Sequence, residues 1–213
     1  MTNVRTYNDK QLLNKVKSLP SFKSVPQGYW ILGIRSNEDA ANKFDDKFYL
    51  FNGELFVTVT TGTTNPGTPV LEGGFLKYNK LGAAVVKADE WYHDVWTYGL
   101  HLGKMPALKQ VGTFIVYRDG DRDQKSEEIG TPIKGSGYGI NFHAATYDNN
   151  FKGLQENIGN WSAGCQVVNN KQKHLEIIKL VKPQKKITYV LLNEFEVWNL
   201  ETIGNLQLNN GIS

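Results

Sequence analysis

One thiol stands in the whole chain, Cys165, and it sits in the stretch "IGNWSAGCQVVNN", Ile158 to Asn170. A lone cysteine is most often a small buried hydrophobe. Three neighbours point to chemistry instead. Gly164 directly before it lets the backbone turn tightly, so that the amides of Gly164 and Cys165 can face one space and hold the oxyanion of an attacked carbonyl. Ser162 and Trp161 bring a polar contact and a broad apolar surface to the same loop, where a substrate would lie. Upstream, "GYGINFHAAT" carries His143, and an imidazole beside a thiol can take its proton and turn it into a strong nucleophile.

The elements that would place these residues are legible in part. Along Ile140 to Ala145 the apolar Ile140 and Phe142 alternate with Asn141 and His143. On a strand the histidine therefore faces away from the Ile140–Phe142 side. Much of the chain before it predicts strands: "GYWILGIRS", "GAAVVKA", "GTFIVYRDGDRD", and a hairpin in "KFYLFNGELFVTVTTG" turning at Asn52-Gly53. "NDKQLLNKVKSL" predicts a short helix with Asn8 and Gln11 as a capping box and Pro20 beyond its end. "NNKQKHLEIIKLVKP" predicts a second, with an Asn cap, Leu175, Ile178 and Val181 on one face, and His174 exposed. "KKITYVLLNEF" reads as a buried strand. The expected fold class is mainly β, a β-sandwich with one or two short helices. The expected division is a helical segment over 1–27, a catalytic domain over 28–198 and a polar tail over 199–213.

At these residues the sequence resembles the L,D-transpeptidase catalytic domain, the YkuD-like family of bacterial cell-wall enzymes. "INFHAAT" is similar to the family's histidine strand and "WSAGCQVV" to its cysteine loop. "FVTVTTGTTNPGTPVLEGGF" is similar to its strand, glycine loop and Thr-Pro opening. The likeness runs from roughly Phe48 to Val168. It implies an L,D-transpeptidase-like sandwich with Cys165 as nucleophile and His143 as base. It also implies that the Ala144 carbonyl holds the imidazole and that Gly164 and Cys165 supply the oxyanion amides. The chain departs from the family pattern at Ala163, where a second histidine is usual, and at Val167, where an arginine is common. Those departures favour hydrolysis of stem-peptide amides, as by a phage lysin-like thiol peptidase, over transpeptidation that forms cross-links. The other reading is a non-catalytic wall-binding or structural virion protein.

Composition narrows the partners. The net charge is +3 with no long run of like charges, which gives no footprint for nucleic acid. No apolar run is long enough for a membrane span, and the first residues carry no apolar leader. Action at a bacterial wall is then expected through phage lysis or virion delivery. The peptidoglycan stem peptide is the expected partner, no cofactor is implied, and the oligomeric state is open.

Other stretches also carry side chains capable of chemistry. "EWYHDVWTYGLHLGKMPALKQVG" offers Trp91, Tyr92, Trp96 and Tyr98, as a sugar- or peptide-binding groove or as core. In the same stretch His101 is either a core histidine or a substrate-side neighbour of Cys165. His93 and His101, without a third ligand in the sequence, do not make a zinc site. Asp119, Asp121 and Asp123 alternate like the start of a calcium loop. Gln124 and Gly130 stand where glycine and glutamate belong, so the expectation there is a solvated turn around Asp119-Gly120.

Overall fold

The computed structural model describes residues 6–38 and 40–197. The tail expected over 199–213 lies outside them. The molecule is mainly β, with few short helices. Its main sheet contains β1 (Tyr29–Arg35), β2 (Asp46–Asn52), β3 (Leu55–Thr63), β5 (Glu90–His101), β6 (Met105–Gln110), β9 (Phe142–Ala144), β10 (Gln166–Val168) and β11 (Ile187–Asn193). A second sheet has the order β4 (Ala83–Val86), β7 (Phe114–Asp119), β8 (Ile133–Gly135). The hydrogen-bonded ladder of the main sheet runs β1-β11-β5-β6-β9-β10-β3-β2 and closes on itself. This refines the layering expected of a sandwich: the eight strands form one ring, and the smaller sheet packs its Ala84, Val86, Phe114 and Val116 into the same core.

Period-two alternation sorts the strands into an inner and an outer face. Ile31, Phe48, Leu50, Trp96, Tyr189 and Leu191 join the inner core with Phe142. Trp30, Leu32, Tyr49, Phe51, Val190 and Leu192 face outward. A chain segment must cover that second apolar face, and helix α1 (Asp9–Lys17) does so with Leu12 and Val16. The Trp91 indole donates to the Val16 carbonyl at 2.8 Å and pins the helix there. The capping box of Asn8 and Gln11 is present as the sequence predicts.

The aromatic stretch forms the β5–β6 hairpin. Trp91, Tyr92 and Trp96 are buried in it, and they are core side chains. Trp96 also donates from its indole to the Ile140 carbonyl at 2.8 Å, fixing the entry to β9.

Four local expectations are corrected. The β2–β3 turn is Gly53-Glu54, one residue later than read, because Asn52 still pairs with Leu55. Its positive φ falls on Gly53 (58°), as a turn with glycine at the first central position requires. Asp119 is not the tip of a solvated hairpin. It is buried at the end of β7, paired with Ala83, and the chain reaches β8 only after residues 120–132. On helix α2 (Lys171–Val181) Leu175 is only half-buried, and the inward face is His174, Ile177, Ile178 and Val181. His174 is therefore fully buried, not exposed.

Candidate active site

Strands β9 and β10 run side by side in parallel, with Val167 opposite His143 and Gln166 opposite Phe142. Phe142 and Ile140 face the inner core. Alternation then sends Asn141 and His143 to the opposite face of β9, and Cys165 and Val167 to the matching face of β10. Donor atoms of His101, His143 and Cys165 lie within 4.8 Å of one another. The ladder register, rather than nearness along the chain, brings thiol and imidazole together.

The His143 ring is fully buried. Its Nδ1 lies 2.9 Å from the Ala144 carbonyl oxygen. A carbonyl only accepts, so Nδ1 carries the proton and Nε2 is left as the lone pair. Among the described residues Nε2 has no hydrogen-bond partner. Its ring stacks on His101, with centroids 4.0 Å apart and planes at 25°. Burial, helped by the neighbouring His101, pulls the His143 pKa down to about 3, so the ring is neutral across ordinary pH.

The thiol of Cys165 is partly accessible and donates to the Gly139 carbonyl at 3.4 Å. Desolvation pushes its pKa up to about 11, although the Asn141 backbone N–H favours the thiolate. Both partners rest neutral because low-polarity surroundings penalise both charges. Alkylation of Cys165 by iodoacetamide should accordingly accelerate only as pH rises past the ordinary thiol range. Rapid labelling at pH 6 would reveal a resting thiolate–imidazolium pair and refute the neutral description.

The rest of the loop is braced from inside. Ser162 is fully buried, not a substrate contact. Its hydroxyl donates to the Cys165 carbonyl at 2.8 Å and accepts from the Gly164 N–H at 3.2 Å. That bond occupies the Gly164 amide, which removes it from the oxyanion set and leaves the Cys165 N–H as the candidate. Gly164 has φ 132°, and a Cβ there would lie 2.6 Å from the Ala84 carbonyl oxygen. Gln166 donates to the Gly164 carbonyl at 3.3 Å and accepts the Tyr189 hydroxyl at 2.6 Å, tying the loop to the core. Trp161 is half-buried against Tyr147, with rings 5.2 Å apart, at the accessible side of the loop.

Asn141 and His174 were missed as site residues. The Asn141 side chain accepts from the Gln110 N–H at 3.0 Å through Oδ1, which turns its amide nitrogen to His101 Nδ1 at 3.2 Å. Its place two residues before His143 was the available signal. His174 packs on Phe142, rings 5.7 Å apart, and neither of its nitrogens has a partner among the described residues. His93 lies elsewhere, stacked on Trp91. His101, His143 and Cys165 are also donors of the type that hold zinc. Asn141, however, fixes His101 Nδ1 as an acceptor and so leaves the proton on Nε2.

Burial drives the His174 pKa well below its usual value. Below about pH 6.5 the unfolded chain takes up a proton there that the folded chain refuses. Stability is therefore lost as pH falls, at up to about 1.4 kcal/mol per pH unit for that one proton. Asp46 and Asp119, held up at about 7 and about 6 by burial, act with the opposite sign. The test is therefore a difference between two proteins. In urea melts His174→Leu should match or exceed the parent at pH 8 and gain on it steadily towards pH 5. Parallel profiles would show that the buried ring accepts its proton after all.

Comparison with family models, with curated proteins and with solved structures returned no match for this chain. Among the described residues no helix is long and apolar enough to cross a membrane.

Proposed function

We propose that this chain is a cysteine-dependent enzyme that opens amide bonds of peptidoglycan stem peptides through an acyl-enzyme. The observation that carries the reading is the buried, unpartnered Nε2 of His143, its tautomer set by Ala144, in a ring that brings a nitrogen within 4.8 Å of the one thiol of the chain. The substrate class rests on the likeness of residues 48–168 to the L,D-transpeptidase domain.

In this mechanism the docked amide carbonyl takes the place of water at the mouth of the site. Cys165 Sγ forms a bond to the carbonyl carbon as its proton passes to His143 Nε2, and the carbonyl electrons move to oxygen. The Cys165 N–H donates to that oxyanion. Collapse breaks the C–N bond, and the amine leaves with the proton from His143. A water then gives its proton to the same nitrogen and cleaves the thioester, restoring the thiol. An amine in place of water yields a cross-link. Hydrolysis is the favoured outcome because Ala163 and Val167 stand where the resembled family carries a histidine and an arginine. Delivery by phage lysis machinery or in a virion belongs to the same proposal.

A second reading has one observation on its side. A thiol held up at about 11 beside an imidazole held down at about 3 is also what a wall-binding protein with an eroded dyad would retain. Incubation with purified sacculi, followed by mass spectrometry of the soluble and digested fractions, separates the readings. Cut stems absent with Cys165→Ala support the peptidase, and new cross-links support the transferase. Bound but unaltered sacculi would reject both and leave the binding protein.

A further inference from the structure

The oxyanion formed when Cys165 attacks a carbonyl has one backbone donor in its own loop, the Cys165 N–H. The neighbouring Gly164 N–H is held by the Ser162 hydroxyl at 3.2 Å. Oxyanions are stabilised by several preorganised donors aimed at one point, so a second donor has to come from elsewhere. The half-buried His101 reaches the site from the end of β5. A ring nitrogen of His101 lies within 4.8 Å of both the thiol sulfur and a nitrogen of His143. Donors to an oxyanion stand about 2.7–3.1 Å from its oxygen, and that oxygen hangs on the carbon bonded to the sulfur. A group that close to the sulfur is within reach of it.

His101 is held in place from three sides. The hairpin turns tightly after it through Leu102 (φ 50°) and Gly103 (φ 71°), and the Lys104 N–H donates to the His101 carbonyl at 3.0 Å. Its ring stacks on His143, centroids 4.0 Å apart. Its Nδ1 accepts from the Asn141 side-chain nitrogen at 3.2 Å, and Asn141 cannot turn over without breaking the bond from the Gln110 N–H to its Oδ1. The neutral ring therefore carries its one proton on Nε2. Among the described residues no acceptor takes that proton. Burial, helped by Lys109, lowers the His101 pKa and keeps the ring neutral. That matters for its neighbour, because a cation stacked on His143 would oppose the proton that His143 must accept.

We infer that His101 is a further catalytic residue, whose Nε2–H donates to the carbonyl oxygen, together with the Cys165 N–H, as Cys165 attacks. No proton leaves His101 in this step. Sγ bonds to carbon, the carbonyl electrons move to oxygen, the thiol proton goes to His143, and His101 only shares its hydrogen with the new oxyanion. The inference rests on the proposed reading of Cys165 as the nucleophile that forms an acyl-enzyme, but not on which acyl group it takes.

Two reactions of the same thiol test this. With p-nitrophenyl acetate the S–C bond forms through a tetrahedral oxyanion, p-nitrophenolate leaves, and the thiol proton passes to His143. With iodoacetamide the sulfur displaces iodide, and no oxyanion arises. Release of p-nitrophenolate, with Cys165→Ala as the blank, and loss of the free thiol by mass spectrometry give the two rates for the full chain at about pH 8. His101→Phe keeps a ring over His143 and removes both nitrogens. Its acylation should fall by about 100-fold, as on loss of one oxyanion donor, while its alkylation stays within about twofold of the parent. His101→Gln, which retains an N–H donor, should keep acylation within about tenfold of the parent. Unchanged acylation in His101→Phe would overturn the assignment. An equal fall in both reactions would overturn it too, by making His101 a mere support for the thiol, as would a His101→Gln as slow as His101→Phe. Cleavage of sacculi is scored apart. A parent that is acylated with this dependence on His101, yet leaves sacculi intact, loses the peptidoglycan reading and keeps the oxyanion donor.

Discussion

Turnover of wall stem peptide should fall by about 10³-fold or more when His143 becomes alanine, and to background when Cys165 does. The reason is specific to this pair. With the thiol held up at about 11 and the imidazole down at about 3, almost no thiolate exists at rest. Nucleophile and base must act in one step, and the Gly139 carbonyl that accepts from the resting thiol cannot take its proton, so removal of the imidazole removes the base. The same values predict the shape of the pH profile. Protonation of His143 lowers kcat/KM only towards pH 3, and loss of the thiol proton intervenes only towards pH 11, so a broad plateau should lie between. Released fragments quantified by mass spectrometry across pH give both readings. Equal activity of parent and His143→Ala, with both melting alike, would eliminate the dyad as the engine.

Gly164→Ala should cost about 3 kcal/mol or more of folding stability, a large share of what a domain of this size possesses. Two causes add. At φ 132° an L side chain is strained, and its Cβ would press to within 2.6 Å of the Ala84 carbonyl oxygen and 2.8 Å of the Ala84 Cβ. The backbone cannot retreat easily, since the Ala84 N–H donates to the Ala163 carbonyl at 3.0 Å on the same loop. Urea denaturation measures the loss. If the variant folds, the displaced loop should also carry the thiol away from His143, and activity should drop beyond what the melt explains. An alanine tolerated within about 0.5 kcal/mol would mean that the loop holds another conformation.

Local signals were the legible ones. The box of Asn8 and Gln11, the Asn170 cap, and the alternation through Ile140, Phe142 and His143 each depend on residues a few places apart. They could be read without knowing the fold. The Ala144 carbonyl on His143 Nδ1 came from the resemblance, and the geometry places that bond where it was expected. Ring closure through β1 with β11 and β6 with β9 had no such signal, because its partners are far apart in the chain. The missed burial of His174 has the same origin. Charged neighbours at Lys173 and Glu176 made the helix face look solvated, while Phe142, from a distant strand, decided otherwise. The direction of the thiol's shift was hidden for a related reason. A sequence names the possible partner of a cysteine, but the dielectric around it is a property of everything packed nearby.

The parallel pairing of β9 with β10 has an evolutionary corollary. Because the pairing of those strands and the braced turn before Cys165 bring imidazole and sulfur together, the intervening segment 146–157 acts as a tether rather than a ruler. Its exposed stretch at 148–150 is free to lengthen, shorten or exchange its sequence without disturbing the reacting atoms. On the proposed reading, variation in substrate choice would accumulate there while the Cys165–His143 geometry stays fixed.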